Sequence, residues 1–487
     1  MGGLHNGHSQ LIQTAKSSNL NDRSVVLVSV FVNPLQFGPK EDYNNYPRNI
    51  DQDIAIASKA GANAIWAPSI NEIFPGGPDN TFKVQAPKKL QSQLCGSVRS
   101  GHFDGVATVM LHLLKHVQPS FLVLGEKDWQ QLVILRQLIK DFGLPIKIRG
   151  VATVRDEDGL ACSSRNQFLS PKERNISLAL PKTLAKAAQQ VLKRERLDLQ
   201  EMRCSLEQKG LQVDYLEVVD PHKLQPRQTN QHFSLLAAAV RCGSTRLIDH
   251  TFLMTHKPIV AIDGPAGAGK STVTRAFAKK LGLLYLDTGA MYRAVAWLIN
   301  EKRINPKDEV AVKQALKGLE LVLQPSKDNP KVIINGNQVT DAIRSPKITS
   351  IVSLIAAQKA VREELTSQQK AIGISGGLVA EGRDIGTAVF PNAELKIFLT
   401  ATTAERARRR IIDLQHQGFS NLDVKEVEAQ INKRDLMDST REISPLTKAE
   451  DAIELITDNM DIQTVIKEIE ELFRMKIPEE VWPSPAS

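Results

Sequence analysis

The sequence predicts an α/β protein with more than one doubly wound, largely parallel unit, and three observations carry that prediction. Apolar, β-branched runs alternate with helical stretches through the first half. A second strand, loop and helix open at residues 258–271, PIVAIDGPAGAGKS. The chain of 487 residues also exceeds what one hydrophobic core organises, since domains average about 150 residues. The change of texture near residue 154 and the new unit near residue 256 divide it into residues 1–153, 154–255 and 256–487.

Taken in order, residues 8–18 read as a helix, and 24–32, SVVLVSVFV, as a strand covered on both faces. Residues 49–61 read as a helix stopped by Gly61, 63–68 as a strand, and 108–119 as a helix ended by Pro119. SFLVLG, 120–125, is a strand, and 129–143 a helix ended by Gly143. A Ser/Arg/Asn loop, a long Ala/Leu/Lys helix and VDYLEVVD then predict a smaller α+β subdomain. Residues 478–487, rich in Pro and Ser, read as a loose tail.

Composition narrows the function. Hydrophobic residues make up 42% and charged residues 24%, ordinary for a globular protein. The net charge of +8 is spread out and does not form a basic tail, which favours small anionic substrates over nucleic acid or a membrane surface. The four cysteines, Cys95, Cys162, Cys204 and Cys242, have no metal-ligand or disulfide spacing, and most are expected to be buried thiols in a reducing compartment. With no apolar run long enough for a span and no secretory signal pattern, the expected location is the cytoplasm, with no membrane partner.

In the first half the polar residues collect where strands end, the usual ligand edge of such sheets. They are His5, Asn6, Gly7 and His8; Asn33 and Gln36; Arg99, Gly101 and His102; Gly125, Glu126, Lys127 and Asp128, with Gln131 one turn on; and Cys162, Ser163, Ser164, Arg165 and Asn166. Two imidazoles and several cations suit a nucleotide's phosphates, whereas a metal site on His5 and His8 lacks a third ligand.

MGGLHNGH, FVNPLQFGPKEDYNNYPR, RSGHFDGVATV, LGEKDWQQL and RDEDGLACSSRNQFLS resemble, in order and spacing, the motifs of pantothenate synthetase (pantoate–β-alanine ligase). The resemblance implies a Rossmann-like HxGH nucleotidyltransferase fold and a reaction through pantoyl adenylate, which β-alanine then attacks. It implies ATP binding by Met1, Gly2, Gly3, Leu4, His5, Asn6, Gly7, His8, Gly125, Glu126, Lys127, Asp128, Val154, Cys162, Ser163, Ser164 and Arg165. His5, His8, Lys127 and Arg165 would be catalytic, with His8 the proton donor, while Asn33, Gln36 and Gln131 would bind pantoate or β-alanine. It also leaves room for a homodimer through this half. Two departures stand out: Cys162 occupies a position usually Met, and the family carries a β-strand ahead of the motif in which this chain begins, so the first strand is expected to be missing.

In the second half G-x-x-x-x-G-K-S places Gly264, Gly269, Lys270 and Ser271 between an apolar strand and a helix. Backbone N–H groups of Gly264, Pro265, Ala266, Gly267, Ala268, Gly269, Lys270, Ser271 and Thr272, proline excepted, are expected to wrap a triphosphate, with Lys270 on its charge and Ser271 on Mg²⁺. Arginines from separated segments suit an acceptor that is itself a phosphate.

DGPAGAGKST, YLDTGAMYR, EGRDIGT and KRD-xx-D-xx-R resemble bacterial cytidylate kinase over about 230 residues, 256–487. That resemblance implies a P-loop nucleoside monophosphate kinase fold and transfer from Mg-ATP to CMP or dCMP. Ser353, Arg362 and Asp384 would read cytosine, Arg293, Arg383 and Arg441 would hold the phosphate of CMP, and Thr288 would also bind CMP. Arg434 and Asp438 would hold the sugar, and Arg406, Arg409 and Arg410 would close over ATP as a lid. Two other readings stand beside this one. Asn432-Lys433-Arg434-Asp435 fits the guanine-reading N-K-x-D of a GTPase switch, and the arginines of 406–410 suit a nucleic-acid-binding module; either would go with an inactive, shortened ligase half.

Overall fold

The computed structural model describes residues 2–17, 24–38, 43–324, 331–416 and 423–485. It divides into two compact units, Met1–Thr255 with Pro478–Pro483, and His256–Ile477 with Ser484–Ser487.

In the first unit the helix Asn6–Ser17 packs on Ile50–Ala60. The latter starts where Asn49 accepts the Gln52 N–H and stops at Gly61 in the left-handed region, as the sequence predicts. Leu27–Ser29 pairs in parallel with Ala64–Trp66, and Phe121–Gly125 with Lys147–Val151. Among the described residues these are two separate parallel pairs. The run 24–32 is therefore not a strand buried on both faces. Only Leu27–Ser29 pairs, and burial alternates, with Val26 and Val28 inside while Val25 and Leu27 are exposed. A two-stranded pair covered on one side buries every second residue.

The three-stranded antiparallel sheet of Gln212–Val219, Ser234–Cys242 and Thr245–Leu253 is covered on both faces. Leu236, Ala238 and Val240 pack with Leu180 and Leu184 from the helix Ala179–Leu192. Their neighbours Leu235, Ala237 and Ala239 face Trp129, Leu132 and Val133 of the helix Trp129–Asp141. Period-two burial on both sides turns the sheet into one wall of the first site.

Pro478–Pro483 is not a loose tail. Val481 joins the apolar cluster of Trp129, Phe233 and Phe252, and Glu480 meets His250 at 2.7 Å.

The second unit is built on a five-stranded parallel sheet in the order Ile453–Ile456, Leu395–Thr400, Ile259–Asp263, Leu378–Gly382, Leu284–Asp287. Its central strand Ile259–Asp263 is buried throughout and leads directly into the glycine-rich loop. Phe277 and Phe473 meet edge-on at 5.7 Å where the helices Lys270–Leu281 and Ile462–Lys476 pack. Among the described residues no helix is long and apolar enough to cross a membrane.

Candidate active sites

The first unit encloses a cavity of about 280 Å³ whose lining includes His5, Gly7, His8, Gln36, Gly125, Lys127, Asp128, Gln131, Val154, Cys162, Ser163, Ser164 and Arg165. Both imidazoles are held by the backbone through one nitrogen. His8 Nδ1 accepts the His5 N–H at 3.2 Å, and His5 Nδ1 accepts the Gly7 N–H at 3.1 Å. Each ring therefore carries its hydrogen on Nε2, free to donate to a ligand. Gly7 is required here, because a Cβ would come within 2.9 Å of His5 Cε1.

Burial is the main reason that both rings are hard to protonate. It lowers His5 to about 4 with help from Lys127, and His8 to about 2 with help from His5 and Lys127. Burial likewise lowers Lys127, whose ammonium donates to the Cys162 carbonyl at 2.9 Å. Both rings are therefore neutral donors, and an arriving polyphosphate would favour the protonated form of all three groups.

The loop is anchored by residues that motif reading missed. Asp53, 1% exposed, accepts the N–H groups of Gly3 at 3.1 Å and Leu4 at 2.6 Å. Asp156 accepts from Cys162 Sγ at 3.0 Å and Asn166 at 3.3 Å, fixing the loop that bears Ser163 and Arg165. Arg99 and His102 grip the Gln36 carbonyl at 3.2 and 2.7 Å, so the side chain of Gln36 enters the cavity from a fixed backbone.

Two expected contacts turn the other way. Asn33 is 5% exposed, absent from the lining, and donates to the Gly105 carbonyl at 3.1 Å while accepting the Leu35 N–H at 2.9 Å. It shapes the turn that presents Gln36. Glu126 is also absent from the lining, with its carboxylate accepting N–H groups of Glu479 and Glu480. Gly2, Gly3, Leu4 and Asn6 support the cavity without lining it, and Met1 lies outside the described residues.

In the second unit the loop after Ile259–Asp263 bends at Gly264, where a Cβ would stand 2.0 Å from the Leu399 carbonyl oxygen. Gly269, left-handed, precedes the helix Lys270–Leu281, whose first N–H groups open toward the loop. Lys270 is buried and donates to the Gly264 and Pro265 carbonyls at 2.8 and 2.7 Å, holding the loop around its own ammonium. Asp263, pushed up to about 6 by burial, accepts the N–H groups of Ile385 and Gly386 at 2.8 and 2.7 Å. This joins the loop to the segment bearing Arg383 and Asp384.

Ser271 Oγ donates to Glu381 Oε1 at 2.6 Å, and the buried Glu381 Oε2 has no hydrogen-bond partner. A hydroxyl beside an unsatisfied carboxylate oxygen is a donor set that fits a hard divalent cation.

The arginines converge as acid-paired groups. Arg362 donates to Asp384, with Arg441 3.6 Å from the same carboxylate. Arg383 meets Asp438 at 3.1 Å, Arg293 meets Asp287 at 3.6 Å, and Thr288 donates to the Glu381 carbonyl at 2.6 Å. Burial first, and then Arg383, lowers Arg434, the mark of a crowded cationic pocket. Ser353 is half-buried on the helix Pro346–Ala357, which packs on the helices of Arg293 and Asp438.

Of the expected lid, Arg406 is 5% exposed and bonded to the Ala266 carbonyl at 3.1 Å and Asp435 at 2.6 Å. Arg409 reaches the Ala268 carbonyl at 3.4 Å, while Arg410 is exposed. The first two brace the phosphate loop and are not held off it. Asn432 and Asp435 lie within the helix Val424–Thr440, where Asn432 accepts from Thr403 at 3.2 Å. They are used in helix packing, which removes the guanine-reading interpretation.

The sequence model of the pantoate-beta-alanine ligase family matches residues 1–252, and that of cytidylate kinase residues 260–475. A Prochlorococcus marinus (strain MIT 9303) protein named bifunctional pantoate ligase/cytidylate kinase is 60% identical over 488 residues, covering 100% of both chains. A protein of the same name from strain MIT 9313 is 59% identical over 99% of this chain and 96% of that one. A solved pantothenate synthetase from Thermus thermophilus is 39% identical, with a match covering 52% of this chain and 91% of that chain at a TM-score of 0.48. With relatives so similar along its whole length, the chain belongs to the family of bifunctional pantoate ligase/cytidylate kinases.

Proposed function

We propose that the chain carries out pantoate ligation and cytidylate phosphorylation at the two sites just described, with the following division of labour. In the first unit a pantoate carboxylate oxygen attacks the α-phosphorus of ATP, giving pantoyl adenylate and pyrophosphate. The β-alanine amine then attacks the acyl carbon and displaces AMP. His5 and His8 donate from Nε2 to phosphate oxygens, and Lys127, Ser163, Ser164 and Arg165 hold the departing pyrophosphate. Gln36 and Gln131 hydrogen-bond pantoate, and Val154 with Gly125 and Asp128 holds adenosine. The observation that carries this reading is the pair of backbone-oriented Nε2–H groups facing one cavity with Lys127 and Arg165.

In the second unit the phosphate of CMP or dCMP attacks the γ-phosphorus of ATP in line, and ADP leaves. A phosphate acceptor is already anionic, so positioning and charge compensation do most of the work. Arg293, Arg383 and Arg441 hold the acceptor phosphate, Arg362 with Asp384 and Ser353 reads the base, and Arg434 and Asp438 bind the sugar. Ser271 and Glu381 would hold Mg²⁺, which neutralises charge on the phosphate oxygens. Both reactions use small metabolites, and the cytoplasm is the fitting compartment for a chain whose four cysteines are all free thiols.

Two assays on one preparation test this. Labelled pyrophosphate should enter ATP when pantoate is present, with no requirement for β-alanine, and not in its absence, and ADP should form only when CMP or dCMP is added. Failure of either removes that half of the assignment.

A further inference from the structure

Glu126 belongs to the turn that carries Lys127 and Asp128, yet its carboxylate points away from the cavity. It crosses Gly150 of the neighbouring strand, where a Cβ would come within 2.7 Å of Oε1. There it accepts the N–H groups of Glu479 at 2.8 Å and Glu480 at 3.0 Å. Glu480's own carboxylate accepts the Thr153 N–H at 3.3 Å and lies 2.7 Å from His250 Nε2, where against the effect of burial it favours the protonated imidazole. Thr153 and His250 both line the cavity. Asp249, next to His250, is clamped by Arg155 at 2.7 and 3.0 Å.

The segment is built into its place. His250 and Glu480 side chains are 3% and 17% exposed, and Val481 packs in the cluster of Trp129 and Phe252. Burial pushes the Glu126 carboxyl up to about 7, against the pull of the two N–H groups. Burial also opposes ionisation of Glu480, yet His250, Thr153 and Arg155 together bring it down to about 2. A carboxylate stabilised this strongly in a buried place is a specific ion-pair partner and not a surface ornament.

We propose that Pro478–Pro483 is a positioning element of the ligase site, in which Glu480 and the N–H groups of Glu479 and Glu480 fix the turn carrying Lys127 and the segment carrying Val154 that follows the strand Lys147–Val151. None of these six residues lines the cavity, so they act through Glu126, Thr153 and His250. The two segments they fix carry Lys127, Asp128 and Val154, to which the proposed function assigns ATP, while the backbone of Gln36 is held separately by Arg99 and His102. The inference rests on the ligase reading and assigns the segment to ATP affinity in particular.

The test uses the full chain with Glu480→Ala and Glu480→Gln. In pantoate-dependent pyrophosphate exchange, Glu480→Ala raises the KM for ATP at least tenfold and leaves the KM for pantoate within twofold. Glu480→Gln, which keeps an acceptor for Thr153 but loses the charge opposite His250, falls between. Cytidylate phosphorylation by the same preparations is unchanged. A merely structural loss would lower the active fraction, and so kcat, without separating the two KM values. Amide hydrogen exchange at residues 126–128 and 152–154 quickens in Glu480→Ala, a readout independent of turnover. Equal rises in both KM values, an unchanged KM for ATP, or unchanged hydrogen exchange would overturn the proposal. If the unsubstituted chain shows no pantoate-dependent exchange, the ligase reading fails and hydrogen exchange alone decides the positioning.

Discussion

Arg362 and Asp384 form an ion pair with side chains only 3% and 5% exposed, and Arg441 approaches the same carboxylate at 3.6 Å. Removing one member of a buried pair leaves an uncompensated charge, at a cost of about 3 kcal/mol or more. Arg362→Ala is therefore expected to raise the KM for CMP at least thirtyfold and to lower the thermal transition of the second unit. Steady-state kinetics and calorimetry check both, with pantoate-dependent exchange as the internal control.

The two halves are separable by single substitutions. Lys270→Ala empties the centre of the phosphate loop, where the ammonium now bonds two loop carbonyls, and is expected to cut CMP phosphorylation by at least a thousandfold while sparing the ligase. His8→Ala should do the reverse, because it deletes an Nε2 donor in the first cavity. Loss of both activities in either variant would contradict two independent sites.

Gly7 admits no side chain beside His5, since a Cβ would lie 2.9 Å from Cε1. Gly7→Ala is predicted to displace that ring and lower pyrophosphate exchange tenfold or more, mostly in kcat. An unaltered rate would mean that the orientation of His5 does not matter.

A pH dependence follows from the same pair of rings. Burial lowers His5 to about 4, so between that value and its ordinary 6.5 the unfolded chain binds a proton that the folded chain refuses. Stability from this group is complete above 6.5 and falls as pH drops toward 4. Glu126, raised to about 7, has the opposite slope between its ordinary 4.5 and 7. The measurement is accordingly a difference: His5→Gln should flatten the acid-side loss of the first unit relative to the unsubstituted chain, by on the order of 2 kcal/mol. Urea unfolding at pH 7, 6 and 5 reads it directly.

Asp435 holds Arg406 at 2.6 Å, and Arg406 holds the Ala266 carbonyl at 3.1 Å. Asp435→Ala should therefore raise the kinase KM for ATP several-fold with little change for CMP. Substrate titrations of the kinase distinguish this from a general loss.

Much of this was legible because it rests on local pattern. The glycine-rich loop declares itself through glycines at fixed spacing, and Gly61 and Gly282 stop helices where the apolar period ends. What stayed hidden depends on partners far along the chain. Asp53 serves backbone N–H groups about 50 residues away, and Asp263 serves Ile385 and Gly386 more than 120 residues on. A lone Asp in a helix or at a strand end carries no mark of such a role. Asn33 and Glu126 sat inside motifs that named them as contacts, but their burial and hydrogen bonds assign them to shaping the loops instead. The run 24–32 has the composition of a covered strand, and composition does not report how many neighbours a strand finds.

Because the first unit includes Pro478–Pro483, about 220 residues of another unit are translated before it has all its parts. At roughly 5–20 residues per second a ribosome needs on the order of 10–40 s to cover that stretch. A nascent chain would therefore complete its earlier half only after residues 256–477 of the later one have been made, and premature termination anywhere in between would release both halves unfinished.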